Sequence, residues 1–203
     1  MSQKNDFSKF HWINQPEQFT LEDSCIKFTT EPRTDNWQRT YYGFRHDNAH
    51  AFVLPVKDNE FSFLVKTEFE PKKLFDQCGV VLYQDSDNWF KGSVEFDNAC
   101  YSRLGSVVTN LGFSDWSSTD IDSKTKIMYY RLSRRDQDFM VENSFDGVDF
   151  KQMRIFHIHK AIKYANIGIY ACSPLESSVK TTFSEFSLGE CVWENYVIPD
   201  LEK

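Results

Sequence analysis

The 203 residues carry 30 acidic against 23 basic side chains, a net charge of −7 that would repel a phosphate backbone or an anionic membrane surface, so neither nucleic acid nor membrane is expected as a partner. Aromatic residues make up 16% of the chain, 19 of them Phe, while 8 Gly and 6 Pro are too few for low complexity or disorder; such a load suits pleated, half-buried strands. The length fits one large all-β domain, 1–203, and is short for two independent ones.

The cysteines Cys25, Cys78, Cys100, Cys172 and Cys191 are odd in number and widely spaced, with no CxxC pair, unlike a disulfide framework. The N-terminal MSQKNDFSKF lacks the apolar run of a signal peptide, and no segment approaches the roughly 20 apolar residues of a membrane span. A cytoplasmic protein with reduced thiols is expected.

In chain order, residues 1–10 read as a loose lead-in and His11–Pro16 as a short edge segment stopped by proline. Two brief strands are expected at 18–22 and 25–29. Thr34–Phe44 reads as a polar loop running into a strand that alternates Trp37, Arg39 and Tyr41 with Tyr42 and Phe44. Ala51–Leu54 is expected to pair with Glu60–Phe69, whose Phe61, Phe63, Val65, Thr67 and Phe69 form a period-2 apolar face.

The stretch Asp76–Glu95 reads as a β-hairpin, because two strand-like runs flank the five polar residues Gln84–Asn88. Successive side chains on a strand point to opposite faces, so Phe90, Gly92, Val94 and Phe96 share one face and Trp89, Lys91, Ser93 and Glu95 the other. The first is a core face. The second combines an aromatic plate, a cation, a hydroxyl and a carboxylate, as a polar-ligand site would. Lys91 and Glu95 stand roughly 13 Å apart along an extended strand, too far to pair directly, so each needs another partner: Asp76 or Asp115 for Lys91, Arg131 or Arg39 for Glu95.

Beyond the hairpin, 106–109 is strand-like and 112–117 reads as a tip. Lys126–Arg135 alternates Met128, Tyr130 and Leu132 against Ile127, Tyr129, Arg131 and Ser133. Phe139–Phe145 is expected to join Val148–Ile158 through an Asp146-Gly147 turn. Ala165–Cys172 and Val179–Leu188 complete the strands, the last with a register break near Ser184-Glu185. One helical turn is expected at Lys160–Tyr164. About a dozen short strands without a sustained helical period define an antiparallel two-sheet β-sandwich.

The segments WINQP (12–16), TDNWQRTYYGF (34–44), FDQCGVVLYQDSDNWFKGSVEF (75–96), SVVTN (106–110), SDWS (114–117), YYRLSR (129–134), SFDG (144–147) and GIYACSP (168–174) resemble the regulation-of-enolase-like family of mostly uncharacterised proteins. The resemblance implies the concanavalin-A-like lectin/glucanase jelly roll, in which carbohydrate-active relatives bind sugar across a concave face. On that basis the ligand-binding candidates are Trp37, Arg39, Gln77, Trp89, Lys91, Glu95, Asp115, Trp116 and Arg131. Indole rings stack on the apolar faces of sugars, and the polar side chains bond their hydroxyls.

For glycan cleavage the candidate acids are Glu95, Asp115 and Asp76. Two-acid hydrolysis needs carboxyl groups about 5–5.5 Å apart, or about 6.5–9.5 Å with a water between. The strand itself offers a lone carboxylate. A non-catalytic carbohydrate-binding protein is therefore expected first, with a regulatory protein acting through a protein partner, or a glycan-cleaving enzyme using Glu95, as alternatives. His157 and His159 share a strand face without a third ligand, and Asp85, Asp87 and Asn88 are explained by the turn they form, so no metal and no cofactor are expected. Arg134-Arg135 and Lys72-Lys73 read as solvated pairs beside turns.

Overall fold

The computed structural model describes residues 6–197. A single turn of 3-10 helix, Phe7–Lys9, precedes sixteen strands: β1 (His11–Ile13), β2 (Phe19–Glu22), β3 (Cys25–Thr29), β4 (Asn36–Gln38), β5 (Arg45–Asp47), β6 (His50–Val56), β7 (Glu60–Phe69), β8 (Gln77–Asp85), β9 (Asn88–Phe96), β10 (Tyr101–Asn110), β11 (Phe113–Asp122), β12 (Ile127–Arg135), β13 (Asp138–Ser144), β14 (Lys151–His157), β15 (Ala165–Cys172) and β16 (Lys180–Gly189). Two seven-stranded antiparallel sheets stack on each other. Sheet A runs β1-β6-β15-β8-β9-β10-β11, sheet B runs β14-β13-β12-β7-β16-β3-β2, and β4-β5 forms a separate ribbon.

The period-2 face of β7 is the centre of the sandwich: Phe61, Phe63, Val65, Thr67 and Phe69 are all buried. Opposite them stand Val80 and Leu82 of β8, Phe90 and Val94 of β9, and Ile167 and Ile169 of β15. Phe90 stacks on Phe156 of β14 with ring centroids 4.4 Å apart, tying the two sheets together in the offset geometry aromatic pairs prefer. Of the expected lead-in, residues 1–5 lie outside the described residues, and Phe10 stacks on Phe52 at 5.1 Å and so closes that end of the core.

Strand positions followed from alternation; several connections did not. Ala51–Leu54 and Glu60–Phe69 do not pair: β6 lies between β1 and β15 in sheet A, whereas β7 lies between β12 and β16 in sheet B. Their loop crosses from one sheet to the other, which buries both apolar faces against each other instead of side by side. The segment 112–117 is no tip. A tight turn at Leu111-Gly112 feeds directly into the ten-residue strand β11. Thr34–Phe44 is a strand only at Asn36–Gln38, because Arg39, Tyr41 and Gly43 adopt positive φ and fold the chain back. Residues 160–164 form bends, not a helical turn, and the β13–β14 connection spans 145–150 with Gly147 at φ 77°. The break near Ser184-Glu185 is present, as a register shift with Glu185 at φ 53°. Arg134 is buried, its guanidinium donating to the carbonyls of Asp58, Asp136 and Ile162, so it fastens three loops and is not a solvated cation.

Candidate functional site

The hairpin β8–β9 turns at Ser86-Asp87, where the Asp85 carboxylate accepts from the Asp87 amide and the Asn88 side chain. That turn sets the register that points Phe90 and Val94 into the core and Trp89, Lys91, Ser93 and Glu95 to the outer face of sheet A. Three stretches close over this outer face. The chain before β4 is tied to the end of β15 by Thr34 N to Ser173 O and Arg33 N to Leu175 O, both 3.1 Å. The β4 end is tied across the sheet by Gln38 N to Ser114 Oγ at 2.9 Å. The third stretch, Pro174–Glu176, completes the rim. Between them lies a cavity of about 620 Å³.

Its walls are aromatic: Trp37, Tyr42 and Phe44 from the ribbon, Phe75 before β8, and Trp116 on β11. Trp37 meets Tyr42 edge to face and Tyr42 stacks on Phe44. Trp116 reaches over Gly105, where an added Cβ would stand 3.0 Å from its indole nitrogen, so the ring can come this close to the sheet because that residue has no side chain. Arg103 faces the same ring at 5.7 Å.

The floor is polar and ordered. Lys91, 4% exposed, donates to Asp35 Oδ1 at 2.9 Å and lies 5.9 Å from the ring centres of both Trp89 and Tyr170. Burial works against its charge, but the surrounding groups, Asp35 foremost and Glu95 among them, together outweigh that and hold the ammonium pKa above its ordinary value. A relay runs alongside: Tyr170 Oη donates to Gln77 Oε1 at 3.0 Å, and Gln77 Nε2 donates to Glu95 Oε2 at 3.1 Å. Burial, with Asp35 adding to it, pushes the Glu95 carboxyl up to about 7 despite the opposing pull of Lys91 and Arg103. Glu95 can therefore exist in either protonation state near neutrality.

The residues singled out from the sequence divide sharply. Trp37, Gln77, Lys91, Glu95 and Trp116 line the one cavity. Trp89 does not: it is 0% exposed, its Nε1 donating to Ser86 O, so it packs beneath Lys91 and offers no ring to a ligand. Arg39 donates to Gly112 O at 2.7 Å and holds the ribbon to the β10–β11 turn. Asp115 points away from its neighbour Trp116, as strand alternation requires, and pairs with Arg154 of β14. Arg131 stands on sheet B, paired with Glu142 at 2.6 Å and stacked on Phe150, and has no part in this face. Asp76 is buried and caps the preceding turn, its Oδ2 accepting from the amides of Lys72 and Lys73 and from Ser177 Oγ.

Neither Asp76 nor Asp115 is the partner of Lys91; Asp35 is. It lies two residues before Trp37 and 56 residues from Lys91, so no local spacing signals the contact. Arg33 and Glu176, paired with each other at the rim, likewise stand in no sequence motif that marks them.

Two stacked seven-stranded antiparallel sheets, with an aromatic-walled cavity on the outer face of one, define an all-β sandwich protein. Within that class, the chain belongs to the family described as "Protein of unknown function (DUF1349)", whose model matches residues 12–191. It is 28% identical over 187 residues to Regulation of enolase protein 1 of Saccharomyces cerevisiae, covering 92% of each chain. A crystal structure of a functionally unknown protein from Saccharomyces cerevisiae superposes with TM-score 0.86 at 26% identity, over 93% of this chain and 100% of that one. The GH43 protein BlXynB of Bacillus licheniformis, as its K247S mutant, matches with TM-score 0.71 at 14% identity, over 93% of this chain but 38% of the enzyme, a likeness of fold. Among the described residues no helix is long and apolar enough to cross a membrane.

Proposed function

We propose that the protein binds a carbohydrate or similar polyhydroxyl ligand in this cavity without cleaving it. The observation that supports the reading is the pairing of exposed Trp116 and half-buried Trp37 with the ordered polar floor of Lys91, Glu95 and Gln77. Flat indole faces take the C–H face of a sugar ring, and a floor whose donors and acceptors are already held in place loses little entropy on meeting hydroxyls. Cleavage by two acids is poorly served, because the second carboxylate beside Glu95, that of Asp35, is committed to Lys91. The test is titration with neutral, amino and acidic oligosaccharide families, followed by tryptophan fluorescence and calorimetry, beside Trp116→Ala. Saturable binding of any of them, lost in the variant, supports the reading; absence of binding across all the families overturns it. Measuring reducing-end release with Glu95→Gln as control decides the enzymatic alternative.

A second reading, regulation through a protein partner, draws on the name of the yeast relative and on the ribbon tip, where Tyr41 is 93% exposed. Recovery of one stoichiometric partner that Tyr41→Ser releases, with no glycan bound, would favour it.

A further inference from the structure

We infer that the ligand of the cavity is a polyhydroxyl compound bearing a protonated amine, an amino sugar with its nitrogen free, and that the Glu95 carboxylate receives the ammonium group. The inference rests on the carbohydrate reading above and narrows it to a chemical class.

The charges that line the cavity are nearly all spent on one another. Arg33 pairs with Glu176 at the rim, and Lys91 pairs with Asp35 on the floor. Glu95 forms no ion pair among the described residues; the hydrogen bond it receives comes from the neutral Gln77 amide. Arg103, the nearby cation outside the lining, is held by Asp97 at 2.9 Å and Asp120 at 3.8 Å. An arriving ammonium thus finds one uncommitted carboxylate, in a partly desolvated setting where a charge pair is worth more than in water.

The walls act in the same sense. The negative faces of Trp37, Tyr42 and Trp116 attract a cation and give nothing to an anion. A uronic acid would bring its carboxylate against Glu95 in a chain of net charge −7. The raised affinity of Glu95 for a proton agrees with this, since burial and the Asp35 carboxylate oppose its charge more than Lys91 and Arg103 favour it. An ammonium group would displace that proton to solvent and leave the carboxylate ionised.

The test uses the full-length protein near neutral pH with four size-matched oligosaccharide probes: β-1,4-linked glucosamine, its N-acetylated form, β-1,4-linked glucose and oligogalacturonate. N-acetylation removes the charge and keeps the ring, so the first two isolate the amine without any change to the protein. Binding of the free amine about tenfold tighter than of the neutral and N-acetylated probes, the advantage a cation gains from a carboxylate and aromatic faces, supports the inference. Glu95→Gln, which keeps the shape and the contact with Gln77, should remove that advantage, bringing the ratio of free-amine to N-acetylated affinity to about one. Equal or tighter binding of the N-acetylated, neutral or acidic probe overturns the inference and leaves the carbohydrate reading standing. Failure of all four to bind overturns both.

Discussion

Lys91 Nζ stands 2.9 Å from Asp35 Oδ1 across 56 residues of sequence, and this buried pair anchors the ribbon that roofs the cavity to the strand that floors it. The Lys91 side chain is 5% exposed, so its charge depends on Asp35.

Removing one partner should cost more than removing both. Asp35→Asn leaves an ammonium buried without its counter-charge and is expected to destabilise by about 3–5 kcal/mol. Adding Lys91→Met, which fills the same space without charge, should recover most of that loss. Chemical denaturation of the two single variants and the double variant measures it; equal costs for Asp35→Asn alone and for the double variant would show that the pair is not what holds the ribbon.

Glu95 makes stability fall as pH rises. Its carboxyl binds a proton more tightly folded than unfolded, with the folded value pushed up to about 7 from an ordinary 4.5. Below the lower value both states are protonated and the residue costs nothing. Between the two values the folded state holds more protons, so stability declines with rising pH, and above about 7 the full cost is present. Melting curves of wild type and Glu95→Gln should coincide near the acid end of that window and separate through it, with the variant the more stable at alkaline pH. A constant difference across the window would place the Glu95 titration elsewhere.

Trp89 and Trp116 should behave in opposite ways. Trp89→Ala empties a fully buried site under Lys91 and is expected to cost about 3–5 kcal/mol. Trp116 is 41% exposed, and Trp116→Ala should cost under about 1 kcal/mol while weakening the ligand. Unfolding curves of the two variants distinguish a packing role from a binding wall.

Gly79→Ala should be the most damaging of these substitutions. A Cβ at Gly79 would fall on the backbone carbonyl of Gly92 in the neighbouring strand, which cannot move aside without breaking the β8–β9 ladder. Loss of a cooperative melt or of soluble protein is expected. By contrast Gly105→Ala meets only the Trp116 ring edge, and should keep the fold while shifting tryptophan emission.

What the sequence determined by itself was local. Alternation placed nearly every long strand, and it assigned the two faces of β9 correctly, since Phe90 and Val94 are core while Lys91 and Glu95 reach the cavity. Those facts follow from backbone geometry, which turns each side chain opposite to its neighbour wherever the chain is extended. What only the tertiary structure decided was company. Arg131 alternates as well as Lys91 does, yet β12 belongs to sheet B and β9 to sheet A, and strand order arises from pairings between residues far apart in sequence. Trp89 shares a face with Lys91 but lies beneath it, because the ribbon at 36–47 folds over that end of the sheet through positive-φ positions at Arg39, Tyr41 and Gly43 that alternation does not foresee. Asp35 became the partner of Lys91 by the same folding-over. A charge's role depends on what stands within a few ångströms of it, and that is settled by the packing of the whole chain.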